Sequence, residues 1–215
     1  MLQLPELILA SGSPRRAEIL RFVGWAFEKH VADIDETEIA GENPEDYVSR
    51  LAKAKAVAVA ARYRNALVLG ADTIVVIDEK IVGKPKDLDD ARRMLRLLSG
   101  NWHEVLTGVA LIEKSDDLRN EEVERQKIEN RKSKIENRKS VVVDLQKTRV
   151  KFAELSDAEI ELLIEKGEPL DKAGAYAVQA QAALFIEEIQ GDYWNVVGLP
   201  VNLVYQMWKS LAADK

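Results

Sequence analysis

An α/β fold is predicted for this chain from three observations. Short apolar runs at 7–10 and 66–78 have the length and composition of buried strands, and alanine-rich or amphipathic runs beside them have the periodicity of helices. Two alternating runs at 102–113 and 141–154 read as the arms of one long hairpin. At 215 residues, 47% of them hydrophobic, the chain is large enough to bury a proper core as a single domain over 1–215.

The elements follow in order. The strand LILA at 7–10 runs into Ser11, Gly12 and Ser13 and then into the amphipathic helix PRRAEILRFVG at 14–24, which ends at Gly24. Pro14 suits the first helical position, where its missing amide has no intrahelical partner, and Ser13 stands where its side chain can cap the helix. After the loop HVADIDETEIAGENP, Pro44 and acidic residues open a second helix over 44–63, rich in alanine through RLAKAKAVAVAARY. ALVLGADTIVVID at 66–78 is expected to be a central strand interrupted at a functional bend, GADT. KIVGKP turns the chain into a helix at 87–100, with acidic residues near its start and Gly100 at its end. After the hairpin, Ser156 caps a helix at 156–166 with Glu159 three residues on. AYAVQ, a strand at 182–188, the loop QGDYWNVVGLPV and a last helix from about 200 to 212 complete the reading.

One segment stands outside this pattern. At 115–140 the charged stretch contains KIENRKS twice in tandem, at 127–133 and 134–140. Its apolar repeat, Ile128 to Ile135, offers one seam position, too little to specify a coiled coil. It reads as a solvated, duplicated insertion at the hairpin tip, helical or disordered, with nothing aromatic to anchor a partner.

Composition narrows the function. A net charge of −6 supplies no basic excess for nucleic acid, so any phosphate ligand is small and met by local charge. The absence of cysteine excludes disulfides, thiolate metal sites and a cysteine nucleophile, and it fits a reducing cytoplasm. The N-terminus MLQLPELILA lacks a basic start, and no segment approaches the roughly 20 apolar residues of a membrane helix. Trp102, Trp194 and Trp208 suit either the core or the surface of a homodimer.

The strand-turn-helix LILASGSPRR is built to meet an anion. Ser11, Gly12 and Ser13 let the backbone approach closely, the helix N-terminus offers free amides, and Arg15 and Arg16 add guanidinium forks that match phosphate oxygens. Asp72 is a carboxylate in an apolar strand, which calls for a pairing or metal-binding role, and Thr73 adds a second polar group. Asp33, Asp35 and Glu36 form an acidic loop that faces solvent when taken alone, and Lys55 and Lys84 are each unremarkable singly. Together these carboxylates and cations are the parts of a metal-assisted phosphoryl site, in which hard oxygens hold Mg²⁺ or Mn²⁺ and the cations balance a triphosphate.

With those residues in view, the chain resembles the Maf family of nucleoside triphosphate pyrophosphatases. The resemblance rests on ASGSPRR at 10–16, DIDET at 33–37, RLAKAKA at 50–56, LGADTIVV at 69–76, GKP at 83–85, LSG at 98–100, TGVAL at 107–111, DKAGAYAVQ at 171–179 and GDYWNVVGLPV at 191–201. It implies a mixed twisted sheet of the inosine triphosphatase-like kind, with flanking helices and two lobes around a nucleotide cleft. It also implies metal-dependent hydrolysis of a nucleoside triphosphate to monophosphate and pyrophosphate. Under the resemblance the functional positions are Arg15, Arg16, Glu36, Lys55, Asp72, Thr73, Lys84 and Gln179. Asp72 acts as general base or orients a metal-bound water, Glu36 helps hold the cation, Arg15, Lys55 and Lys84 stabilise charge on the triphosphate, Arg16 meets the ligand or supports the loop, and Ser11 and Ser13 line the phosphate loop. Gln179 in AYAVQ resembles the subgroup selective for dTTP and UTP, which clears non-standard nucleotides, rather than the 7-methyl-GTP subgroup. Ala180 departs from the glycine usual after that glutamine, which puts base selectivity in question if the position needs a positive φ. A non-catalytic regulator of septum formation is the rival from another class. The clustered carboxylates speak against it, since beside a polyanion they need a metal to join them. A kinase is excluded by the lack of a Gly-Lys-Ser/Thr phosphate loop.

Overall fold

The computed structural model describes residues 4–115 and 138–213. β1 (Leu7–Leu9) is buried, lies one strand in from an edge of the sheet, and pairs in parallel with β2 (Phe27–Lys29) on one side and β3 (Ala66–Ile77) on the other. Antiparallel pairing takes over from β3 to β5 (Trp102–Ser115), β6 (Arg138–Phe152) and β7 (Ile186–Gln190). β4 (Lys80–Val82) folds back on β3, which makes a mixed seven-stranded sheet of order β2-β1-β3-β5-β6-β7 with β4 beside β3. The β3–β4 connection is two residues, Asp78 and Glu79, both at positive φ, the backbone that a tight hairpin matched to strand twist requires.

Side-chain alternation divides the core in two. Leu7, Leu9, Leu69 and Leu111 face one cluster with Leu20, Leu95 and Phe152, while Ile8, Val68, Ala110 and Ile112 face another with Ala52, Ala56 and Val59. Helices therefore cover both faces of the inner strands. α1 (Pro14–Phe22) and α3 (Leu88–Leu98) lie on the first side, with α6 (Val201–Ala213), and α2 (Pro44–Ala60) lies on the second.

The strand 66–78 is continuous, which corrects the expected break at GADT. β3 keeps its ladder with β5 from Ala66 through Val76. Gly70 is there for packing: a Cβ would stand 2.2 Å from the Ala52 carbonyl oxygen, and at Gly108 one would stand 2.4 Å from that of Val48. Two glycines on adjacent strands thus let α2 lie directly on the sheet, and its alanines complete the close fit. Asp72 shares the face of Gly70 two residues on, and so points toward α2.

α3 begins at Asp87, whose side chain accepts the Asp90 amide, and α4 (Asp157–Lys166) begins with the expected capping box of Ser156 and Glu159. The hairpin of β5 and β6 forms as read, while residues 116–137, the greater part of the 115–140 insertion, lie outside the described residues. Four elements differ from expectation, the first being β4, a strand where KIVGKP was read as a turn. The strand placed at 182–188 is a 3₁₀ turn over Gln181–Leu184 followed by β7, the loop at 190–201 contains α5 (Tyr193–Val197) capped by Asp192, and β2 was not foreseen. Trp208 packs against Trp25 with ring centroids 6.2 Å apart, and Trp102 lies beneath the Arg149 guanidinium. No helix among the described residues is long and apolar enough to cross a membrane.

Candidate active site

A cleft of about 590 Å³ opens beyond the carboxyl end of β1, and all ten residues selected from the sequence line it. It begins at the turn Ser11–Ser13. Ser13 occupies the N-cap position of α1 in an extended conformation, yet its side chain makes no capping bond, contrary to expectation. The Ser11 hydroxyl instead accepts the Ser13 amide at 3.2 Å and the Arg16 guanidinium at 3.0 Å. The first-turn amides of α1 are left without an intrahelical partner at the rim of the cleft.

The two arginines diverge. Arg16 is buried and all three of its donor nitrogens are engaged: Nε donates to the Gly198 carbonyl at 2.9 Å, and the terminal nitrogens donate to Ser11 Oγ and Thr73 Oγ1 at 3.0 Å each. Burial lowers its pKa, opposed by the nearby Asp72 charge. Thr73 is drawn into the same network, with Thr107 Oγ1 at 2.9 Å. Arg15 faces the cleft, held by the Asp171 carboxylate at 2.9 Å and the Asp171 carbonyl at 3.2 Å. Burial pulls the Asp171 carboxyl upward, but hydrogen bonds from Lys172 and Arg15 outweigh it and hold it below the usual carboxylate value.

On the opposite wall, α2 supplies Lys55. Its ammonium lies 2.6 Å from Asp72 Oδ1 and 2.7 Å from Glu36 Oε1, so one cation joins the carboxylate of β3 to that of the acidic loop. Lys55 and Asp72 side chains are each only 12% exposed, against 53% for Glu36. Tyr47, two turns before Lys55 on the same stripe of α2, donates its hydroxyl to the Glu36 carbonyl at 2.9 Å and so anchors that loop. Burial and then the Asp72 and Glu36 charges push its phenol up to about 12. Asp33 and Asp35 face solvent, and Asp35 closes a local turn on Thr37. Lys84 lines the cleft with no ion-pair partner among the described residues, and the exposed Gln179 lines it too. Ala180 sits at φ −117°, so alanine is unstrained where a glycine was expected.

Among the described residues no group of three or more His, Asp or Glu is arranged to hold a metal, and Glu36 with Asp72 is the pair that could contribute hard oxygens to one. Sequence reasoning missed Tyr47, Asp171 and Lys172. A signal existed for the first in the spacing of eight between Tyr47 and Lys55, and for the others in the charged pair that opens DKAGAYAVQ.

The family model described as Maf-like protein matches residues 6–211. A dTTP/UTP pyrophosphatase of Koribacter versatilis is 46% identical over 94% of this chain and 93% of its own length. One of Symbiobacterium thermophilum is 46% identical over 95% and 93%, and one of Bacillus cytotoxicus 44% identical over 92% and 91%. Among solved structures, the Staphylococcus aureus Ham1 protein aligns over 70% of this chain and 73% of its own at 12% identity and a TM-score of 0.42, too distant to bear on the site. The turn at 10–16, the continuous GADT strand and the closing GDYWNVVGLPV segment all fall within the matched span, and on that extent of agreement the chain belongs to the Maf-like protein family.

Proposed function

We propose that this chain hydrolyses dTTP and UTP to the monophosphate and pyrophosphate. The observation that carries the reading is the meeting of Asp72, Glu36 and Lys55 in the cleft that also receives Arg15 and Lys84. The names of the relatives support the choice of substrates.

Water attacks the α-phosphorus, a new P–O bond forms, and the bond to the bridging oxygen breaks so that pyrophosphate leaves. Asp72 takes the proton of that water. Its Oδ1 is held by Lys55, which leaves Oδ2 without a hydrogen-bond partner among the described residues, on a side chain that lines the cleft. Arg15, Lys55 and Lys84 balance the charge that grows on the leaving pyrophosphate. The buried Arg16 and Thr73 shape the loop between Ser11 and Gly198 rather than meeting the phosphates through free donors. Glu36 and Asp72 would hold Mg²⁺ or Mn²⁺, and the ion would neutralise charge on the triphosphate. The cysteine-free chain fits a reducing cytoplasm, where these nucleotides are made.

The test is a product assay on purified protein with Mg²⁺ or Mn²⁺ across dTTP, UTP, CTP, GTP, ATP and 7-methyl-GTP. Monophosphate and pyrophosphate from dTTP and UTP are the expected products. The same products mainly from 7-methyl-GTP would keep the chemistry and overturn the base assignment to Gln179. Binding without turnover of any nucleotide would overturn the enzyme and favour a regulator.

A further inference from the structure

The catalytic cleft continues past Gln179. Arg15 and Gln179 also line a second, shallower cleft of about 290 Å³, walled by the Ile19–Phe22 end of α1 and by Tyr193 and Trp194 of α5. Phe22 is 75% exposed, although a phenylalanine side chain strongly favours burial. Its ring lies 5.4 Å from that of Trp194 at 40°, and Tyr193 meets Trp194 edge-on at 5.5 Å, so three rings form a ledge with an open side. Arg15 and Phe22 are seven residues apart on one stripe of α1, about 10 Å along the axis. That is the reach from the middle phosphate of a nucleoside triphosphate across the ribose to its base. At the junction of the two clefts the exposed Gln179 amide has no hydrogen-bond partner among the described residues.

We propose that Phe22 and Trp194 form a stacking subsite for the nucleobase of the triphosphate whose phosphates Arg15 meets, with Gln179 reading the polar edge of that base. The inference deepens the proposed function and rests on it for the placement of the phosphates. Aromatic faces accept any base, because every base has a π-face, whereas an amide that both donates and accepts discriminates by the edge it meets. Stacking thus supplies affinity and Gln179 supplies choice. Continuity with the cation-lined cleft through three shared residues, Arg15, Gln179 and Val197, assigns the ledge to a nucleotide rather than to a second copy of the chain.

The decisive variant is Phe22→Ala, at a position exposed enough to leave folding intact. KM for dTTP is expected to rise about tenfold, the loss of one stacked ring, with kcat held and with Phe22→Trp restoring KM. Inorganic tripolyphosphate, which has the phosphates and no base, is expected to inhibit the variant as strongly as the wild type. An unchanged KM overturns the inference. Equal weakening of dTTP and tripolyphosphate also overturns it, because Phe22 would then act only through Arg15. A change of oligomeric state in sedimentation with KM unchanged overturns it in favour of a second copy on the ledge. If the wild type turns over no nucleotide, tryptophan fluorescence still decides. A quench by dTTP but not by tripolyphosphate, lost in Trp194→Phe, keeps the subsite while the hydrolytic reading fails, and the lack of a Trp194-dependent quench overturns the subsite itself.

Discussion

Asp72→Asn keeps the shape of the side chain and removes its charge. Removing one partner of a buried ion pair costs about 3–5 kcal/mol when the other charge is left alone. Here Lys55 keeps Glu36 at 2.7 Å, and the asparagine oxygen can still accept from it, so the loss is about 1–2 kcal/mol. For a chain of this size that is a fall in Tm of about 2–8 °C. The loss in turnover is far larger: a positioned general base contributes about 10²- to 10⁴-fold, or about 3–5 kcal/mol of barrier. Steady-state release of pyrophosphate from dTTP, calorimetric binding of dTTP in Mg²⁺ and a thermal melt separate these effects. The expected result is a kcat at least 100-fold lower, with nucleotide affinity within about threefold and a Tm a few degrees down. A kcat within tenfold of the wild type refutes Asp72 as the base. Loss of binding in a folded variant would assign the carboxylate to the cation alone.

Three further outcomes follow from the packing around this site. Gly70→Ala places a methyl 2.2 Å from the Ala52 carbonyl oxygen and 2.8 Å from the Ala56 amide nitrogen, so α2 must lift from the sheet. Urea unfolding should show about 3 kcal/mol of destabilisation, with activity falling in the protein that stays folded because Lys55 moves off Asp72. Burial pushes the His103 imidazole from 6.5 down to about 4, in a site where Nε2 meets the Tyr176 hydroxyl at 2.7 Å. The unfolded chain takes up that proton below pH 6.5 and the native one refuses it until about 4, so this contribution is complete above pH 6.5 and is lost as pH falls toward 4. It amounts to about 3 kcal/mol, and urea titrations between pH 4 and 7 should find it missing in His103→Phe. Arg15→Ala should raise KM for dTTP with Tm held, whereas Arg16→Lys should lower Tm and kcat together, because one ammonium cannot reproduce donations to Gly198, Ser11 and Thr73.

What could be read in the sequence was local, and what could not was decided across the fold. Strand-turn-helix at 7–24, the hairpin and the capping box at Ser156 rest on neighbouring residues, and each stands close to where periodicity and capping put it. GADT shows the limit of the same reasoning. A glycine in a strand reads as a bend when only its neighbours are known, but Gly70 answers to Ala52, eighteen positions earlier, and the strand runs on unbroken. β2 was missed because three half-exposed residues, Phe27–Lys29, become a strand only through pairing with β1. At the site, residue type pointed to Arg15, Lys55 and Asp72 as cleft residues. It gave Arg15 and Arg16 the same donors, and the reading that Arg16 supports the loop agrees with its burial against Ser11, Thr73 and Gly198, while Arg15 faces the cleft.

Two of the cations that line the free cleft are already paired with carboxylates, and this bears on how a triphosphate enters. Lys55 is neutralised by Asp72 and Glu36, and Arg15 by Asp171, so binding is an exchange of carboxylate partners for phosphate oxygens. The exchange is uneven. Asp171 is 54% exposed and keeps Lys172 when Arg15 turns away, so water and a second cation take up its charge at little cost. Asp72 is buried, and a polyanion drawn to Lys55 arrives beside a carboxylate that cannot move into solvent. Two negative charges about 5 Å apart at an effective dielectric near 20 repel by about 3 kcal/mol, enough to weaken binding more than 100-fold. A divalent cation held by Asp72 and Glu36, as proposed above, would remove that penalty. On this reasoning dTTP affinity should fall by about two orders of magnitude in EDTA, while Asp72→Asn should bind dTTP nearly as well without metal as with it. A wild-type affinity indifferent to EDTA would mean that Lys55 alone screens the carboxylates and that the metal has no part in binding.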